Sequence, residues 1–166
     1  MPLPTLVKNG QIDINSLREE YLKAVNDDKG IEYLLGILAK NNSSDALVLA
    51  YQACLETLKA KILWNPLEKL ALAKQSQHTF AKAVSSSPNN LEIRFLRYSI
   101  QLSLPSYLYL SNDLEEDKNL ILKLIQEVEV QQIGTENLKR IADFMLQKGQ
   151  CSQAEKKVIS LVYTKL

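Results

Sequence analysis

The sequence predicts an all-α chain, an array of about four helical hairpins with no sheet. Three observations predict it. Apolar residues recur at spacings of three and four through most of the 166 residues, and no alternating run persists. The 5 glycines and 5 prolines are too few for the turns of a sheet-rich fold, while Leu, Ala, Lys, Glu and Gln favour helix. The stretch FAKAVSSSPNNLEIRFLRYSIQLSL, 80–104, shows how one helix gives way to the next. Ala83 and Val84 close an apolar stripe, three serines weaken the helix, and Pro88 forbids its continuation. Asn89 and Asn90 supply a turn and a cap before a helix starts at Leu91. Such a joint is expected to lay two helices back to back.

In chain order, residues 1–14 hold two prolines, a glycine and no helical period, which predicts an extended lead-in. Residues 15–166 are expected to form one helical-repeat domain. Asn15 and Ser16 cap a first helix, with Glu19 at the capping-box position. Asp27 and Asp28 favour a second start, with Ile31, Leu34, Leu35 and Leu38 on one side, and 41–44 end that helix and cap the next.

The third helix, expected over 45–63, carries small residues at Ala46, Ala50, Ala53, Thr57 and Ala60. Large ones stand at Val48, Tyr51, Leu55, Leu58 and Ile62, and at about 100° per residue the two stripes oppose each other. A helix with two apolar faces is internal. The fourth, capped by Asn65 with Pro66 in its first turn, has one apolar side, Leu70, Ala73, Ser76, Phe80 and Val84. Glu68, Gln75, His78, Thr79 and Lys82 share the other, so this helix is external and wet. The fifth, 91–104, is internal again, with stripes of Glu92, Ser99, Ser103 and of Arg94, Arg97, Gln101. A connector with Tyr107 and Tyr109 leads to a sixth helix capped by Asn112 or Asp113, with Glu115, Glu116 and Asp117 in its first turn. Gly134 turns the chain into a seventh, and Ser152 with Glu155 caps an eighth.

Composition narrows the function. A net charge of +1 argues against a nucleic-acid binder, which needs a basic excess. No run reaches the roughly 18 apolar residues of a membrane span. The first residues carry neither a basic start nor an apolar core, so they are not read as a signal peptide. The compartment is expected to be cytoplasmic by default, or periplasmic or secreted if a signal peptide has been removed. Cys54 and Cys151 lack metal spacing; Cys54, among alanines and leucines, reads as a buried thiol, and a disulfide between the two stays open.

Ser76, Phe80, Ala83 and Pro88 have the spacing of the second helix of a tetratricopeptide repeat, and Leu63 fits its first helix. The chain resembles that family over about one repeat. Trp64 stands where a glycine is usual, Pro66 interrupts, and Arg94 and Arg97 stand where large apolar residues are usual. The resemblance implies a tetratricopeptide-like superhelix with an extended concave binding surface. The segments KAKILWNPLEKL, PNNLEIR and NDLEEDK also resemble those of a group of small uncharacterised bacterial helical proteins, whose members commonly carry a secretion signal. That resemblance implies a fold and no reaction.

One histidine, His78, and two separated cysteines cannot build a typical zinc site, and no GxSxG, Gly-rich phosphate loop or HExxH is present. No catalytic residue, metal or cofactor is therefore expected. Arg94 and Arg97, one turn apart on a buried helix with Tyr98 and Gln101 beside them, must find acceptors. They pair with Glu115, Glu116 or Asp117, or they line the groove as a clamp for carboxylate or phosphate. Trp64 and Lys69 form a second candidate, against a hydrophobic staple and a snorkelling lysine. Tyr107 and Tyr109 are expected to plug the joint between hairpins. The expected function is a non-catalytic module that binds a protein or peptide. The alternatives are binding of a small anionic ligand or lipid near Arg94 and Arg97, and a cryptic hydrolase.

Overall fold

A computed structural model describes residues 6–166, so the first five residues of the expected lead-in lie outside the described residues. The chain is all-α, with nine α-helices and two 3-10 turns among the described residues. It forms two compact units, Met1–Ser87 and Pro88–Leu166.

The first unit opens with a small correction to the expectation of no sheet. Strands β1 (Val7–Lys8) and β2 (Gln11–Ile12) pair antiparallel around Asn9 and Gly10, both with positive φ. These two residues form a tight turn that lets the lead-in fold back on itself. Helix α1 (Ile14–Ala24) is capped by Asp13, not by Asn15 or Ser16. The Asp13 carboxylate accepts from the Ser16 amide at 3.0 Å and from its hydroxyl at 2.6 Å, so the expected cap residue donates to the real one. Those bonds from Ser16, and the Lys8 ammonium at 3.0 Å, pull the Asp13 pKa down to about 2.

A depressed folded-state pKa means that Asp13 stabilises the fold above its unfolded value near 3.8. That stabilisation disappears as pH falls towards about 2. Asp13→Asn is therefore expected to melt lower than the parent at neutral pH, with the gap closing in acid. A gap that stays constant in melts across that range rules the carboxylate's charge out as its source.

Helix α2 (Asp28–Asn41) is capped by Asp27 and closes on Asn42 in the left-handed conformation. Asp45, rather than the preceding serines, caps α3 (Ala46–Ile62), accepting from the amides of Leu47 and Val48. Helix α3 is internal to this unit, touching α1, α2 and α4 (Pro66–Ser86). On its large-residue side the Tyr51 ring meets that of Tyr21 edge-on, centroids 5.2 Å apart. On its small-residue side Ser76 of α4 donates to the Ala53 carbonyl at 2.7 Å. Ser76 has one hydroxyl hydrogen, so Thr57, 2.6 Å away, donates to Ser76. Such close backbone approach needs the alanines the sequence supplies. Asn65 caps α4 as expected, with Pro66 beside it.

The second unit holds α5 (Leu91–Ser103), a 3-10 turn (Ser106–Leu108), α6 (Leu114–Glu127), a short α7 (Val130–Ile133) before Gly134, and α8 (Thr135–Gln147). Helix α9 (Gln153–Ser160) follows, ending in a second 3-10 turn, Leu161–Thr164. Here α5 packs on α6, and α9 on both α6 and α8. Phe95 and Phe144 meet edge to face at 5.3 Å, and Ile121, Ile125, Leu138, Ile141, Met145 and Ile159 are buried. The Ser152–Glu155 capping box forms as expected.

Candidate functional site

Arg94, Arg97 and Gln101 are one stripe of α5, and all three are buried. Their acceptors come from α6. The Arg97 fork donates to both oxygens of Asp117, Nε to Oδ2 and Nη2 to Oδ1, each at 2.7 Å. Arg94 Nη1 donates to Asp117 Oδ1 at 2.8 Å and to Glu116 Oε1 at 2.7 Å, while its Nε reaches the Pro88 carbonyl at 2.7 Å. Asp113 Oδ1 lies 3.4 Å from Arg97 Nη1. Burial opposes the Arg97 charge, but the hydrogen bonds and field of Asp117 outweigh it and hold its pKa above the usual guanidinium value.

Of the three expected acceptors, Asp117 is the hub, with a side chain 0% exposed, and Glu116 is its rim. Glu115 takes no part in the arginine pairs and lines a cleft instead. An anion at this stripe would have to displace Asp117 from two guanidiniums.

Gln101 extends the network. Its Nε2 donates to Asp113 Oδ2 at 2.7 Å, its Oε1 accepts from the Asp113 amide at 3.1 Å, and its backbone carbonyl accepts from Ser111 at 2.9 Å. Asp113 stands at the N-cap of α6 but makes no side-chain cap, because Gln101 occupies its carboxylate. These bonds pin residues 111–113 against α5.

Tyr98 leaves that stripe and donates to the Gly149 carbonyl at 2.7 Å. Burial, helped by Cys151, Glu155 and Glu115, pushes its hydroxyl up to about 12. It keeps its proton and serves as a structural donor. Beside it opens a cleft of about 310 Å³, lined by Leu102, Ser111, Asn112, Leu114, Glu115, Lys118 and Gln150. Lys118 Nζ lies 3.4 Å from both Glu155 Oε1 and the Gln150 carbonyl, fixing that wall.

The connector before the cleft departs from expectation. Tyr107 is 73% exposed and Tyr109 82%, so neither plugs a joint. Tyr109 also holds a left-handed backbone, φ 53°, which costs a side-chain-bearing residue about 1–2 kcal/mol.

Trp64 and Lys69 belong to the first unit. Trp64 is 96% exposed, so it makes no staple, and Lys69 is exposed as expected. Thr79, expected on the wet side of α4, is buried because it donates to Glu56 at 2.9 Å. Glu56 is buried too and also accepts from Gln52 at 2.9 Å and Gln75 at 3.1 Å. The facing pairs Gln52–Glu56 and Gln75–Thr79, each four apart, are the sequence signal for that cluster. A second cleft, about 190 Å³, lies among Lys23, Asp27, Gly30 and Tyr33. Cys54 is buried and carries no disulfide, nor does Cys151, whose thiol pKa burial raises. Among the described residues no group of His, Cys, Asp and Glu is placed to hold a metal, and no helix is long and apolar enough to cross a membrane.

Comparison of the chain with models of protein families, with curated proteins and with solved structures returned no match.

Proposed function

We propose that the chain is a non-catalytic module that binds a peptide segment of a partner protein in the cleft of its second unit. The observation that carries this reading is the cleft beside Tyr98. Leu102 and Leu114 line it with half-buried apolar groups, while Asn112 and Glu115 line it with exposed polar ones. Tyr109, two residues before Ser111, stands in solvent on a costly backbone. Exposed tyrosine is a frequent anchor at protein interfaces, since it supplies contact area at low entropic cost. An apolar side chain of the peptide enters between the two leucines, and its backbone hydrogen-bonds to Asn112. The tetratricopeptide resemblance supports the same class of partner.

The test is selection of binders from a displayed peptide library, followed by NMR mapping. Selected peptides are expected to shift the amides of residues 102, 111–118 and 150. Leu114→Asp puts a charge in the cleft at a helix start that tolerates acid, and is expected to weaken binding at least about tenfold. Tyr109→Gly is expected to weaken binding while melting no lower, because glycine accepts the left-handed backbone. If no peptide is enriched, or if both folded variants bind like the parent, the proposal fails.

A further inference from the structure

The α3–α4 turn of the first unit carries an apolar tip that the peptide cleft does not use. Trp64 is 96% exposed, Leu67 78% and Ile62 41%, within six residues of chain. An isolated exposed leucine is ordinary, but a tryptophan left almost wholly in water beside two aliphatic side chains is not. Neither cleft described above includes these residues. They sit on a turn between two helices, where the backbone is set by Asn65 accepting from the amides of Leu67 and Glu68. The tip is thus held by its own cap and not by packing of the side chains it displays.

The charge along the chain at the tip is mostly positive. Residues 59–74 contain Lys59, Lys61, Lys69 and Lys74 against Glu68 alone, in a chain whose net charge is only +1. Lys61, Lys69 and Lys74 are exposed. Further along the wet side of α4, His78 and Lys82 are exposed as well, with no acid among the exposed residues beyond Glu68.

We infer that this turn is a peripheral membrane contact, in which Trp64 and Leu67 enter the headgroup region of an anionic bilayer and the lysines face its phosphates. Two features favour a bilayer over a protein. Trp64 and Leu67 stand largely in solvent on a turn and line neither cleft, which suits a deformable surface. Tryptophan prefers the bilayer interface, where the ring meets acyl chains and the indole N–H meets headgroups. Lysines flanking an inserted residue add attraction to anionic lipid and make it salt-sensitive. Two exposed side chains on a turn, in a chain with no helix among the described residues long and apolar enough to cross a membrane, fit a surface contact.

Trp64 is the single tryptophan of the chain, so its fluorescence reports the site directly. On mixed phosphatidylcholine–phosphatidylglycerol vesicles its emission is expected to shift to the blue and to be quenched by brominated acyl chains. High salt reverses both, and pure phosphatidylcholine vesicles produce neither. In co-sedimentation with the mixed vesicles, Leu67→Ala and the pair Lys69→Glu with Lys74→Glu are each expected to bind at least about tenfold more weakly. The replaced side chains are exposed, so the melting temperature stays at the parent value. The parent's own emission decides the matter whatever the variants do. An unchanged emission on mixed vesicles overturns the inference, and so does an equal shift on pure phosphatidylcholine. A blue shift with an acidic, leucine-containing peptide but not with vesicles overturns it in favour of protein docking.

Discussion

Asp117→Ala is expected to lower the stability of the chain by about 3–5 kcal/mol, read as a drop in the urea midpoint. The loss is large because Asp117 is the shared acceptor of two buried arginines. Removing it leaves both guanidiniums in a low-dielectric interior, with Glu116 at the rim, Asp113 at 3.4 Å and, for Arg94, the neutral Pro88 carbonyl to compensate. A domain of ordinary stability has about 5–15 kcal/mol in total, so the variant stands near unfolding. The pair need not be stabilising in itself. Replacing the whole unit, Arg94→Met with Arg97→Met and Asp117→Leu, is expected to be neutral or to gain about 1–4 kcal/mol. Glu116→Gln, at a side chain 60% exposed, should change stability by less than about 1 kcal/mol. An Asp117→Ala protein that melts like Glu116→Gln would show that water reaches the guanidiniums. Their burial could not then be the source of the effect.

The same cluster shows what a sequence can and cannot disclose. That Arg94 and Arg97 need acceptors follows from their place on an apolar helix. Which acceptor follows from helical phase, since Glu115 and Asp117 stand about 200° apart and cannot both face α5. The two faces of α3 were legible because they differ in side-chain volume, and the Ser152–Glu155 and Asn65 caps because they are local chemistry. The first cap was misassigned for a local reason as well. Asp13, an ionised acceptor at a helix N-terminus, outcompetes a neutral serine three residues on. Trp64 and Tyr109 stand exposed against expectation because a staple or a plug needs a surface to pack on, and that surface is tertiary. The cleft beside Tyr98 has no signature at all. Its lining comes from α5, from Ser111 and Asn112 of the connector, from the start of α6 and from Gln150, four segments that share no period.

Gly149→Ala is the second substitution expected to be costly, by about 2–6 kcal/mol in a urea melt. A Cβ at this position would lie 2.7 Å from both the Cα and the carbonyl oxygen of Met145, backbone of the last turns of α8 that cannot swing aside. The segment between α8 and α9 must therefore move, which alone costs about 1–3 kcal/mol. The same movement draws the Gly149 carbonyl away from the Tyr98 hydroxyl and leaves a buried donor unpaired, at about 1–3 kcal/mol more. Tyr98→Phe isolates this second part, because it removes the hydroxyl and spares the backbone. It should cost about 1 kcal/mol. The double variant separates the two contributions. If the clash already breaks the hydrogen bond, Tyr98→Phe removes the stranded donor, so Gly149→Ala with Tyr98→Phe melts no lower than Gly149→Ala alone and recovers part of its loss. Peptide binding should then fall in Gly149→Ala and persist in Tyr98→Phe, since Gln150 on the cleft wall moves only in the first. Losses that simply add would mean that the carbonyl keeps its place against Tyr98, and that Met145 gives way instead.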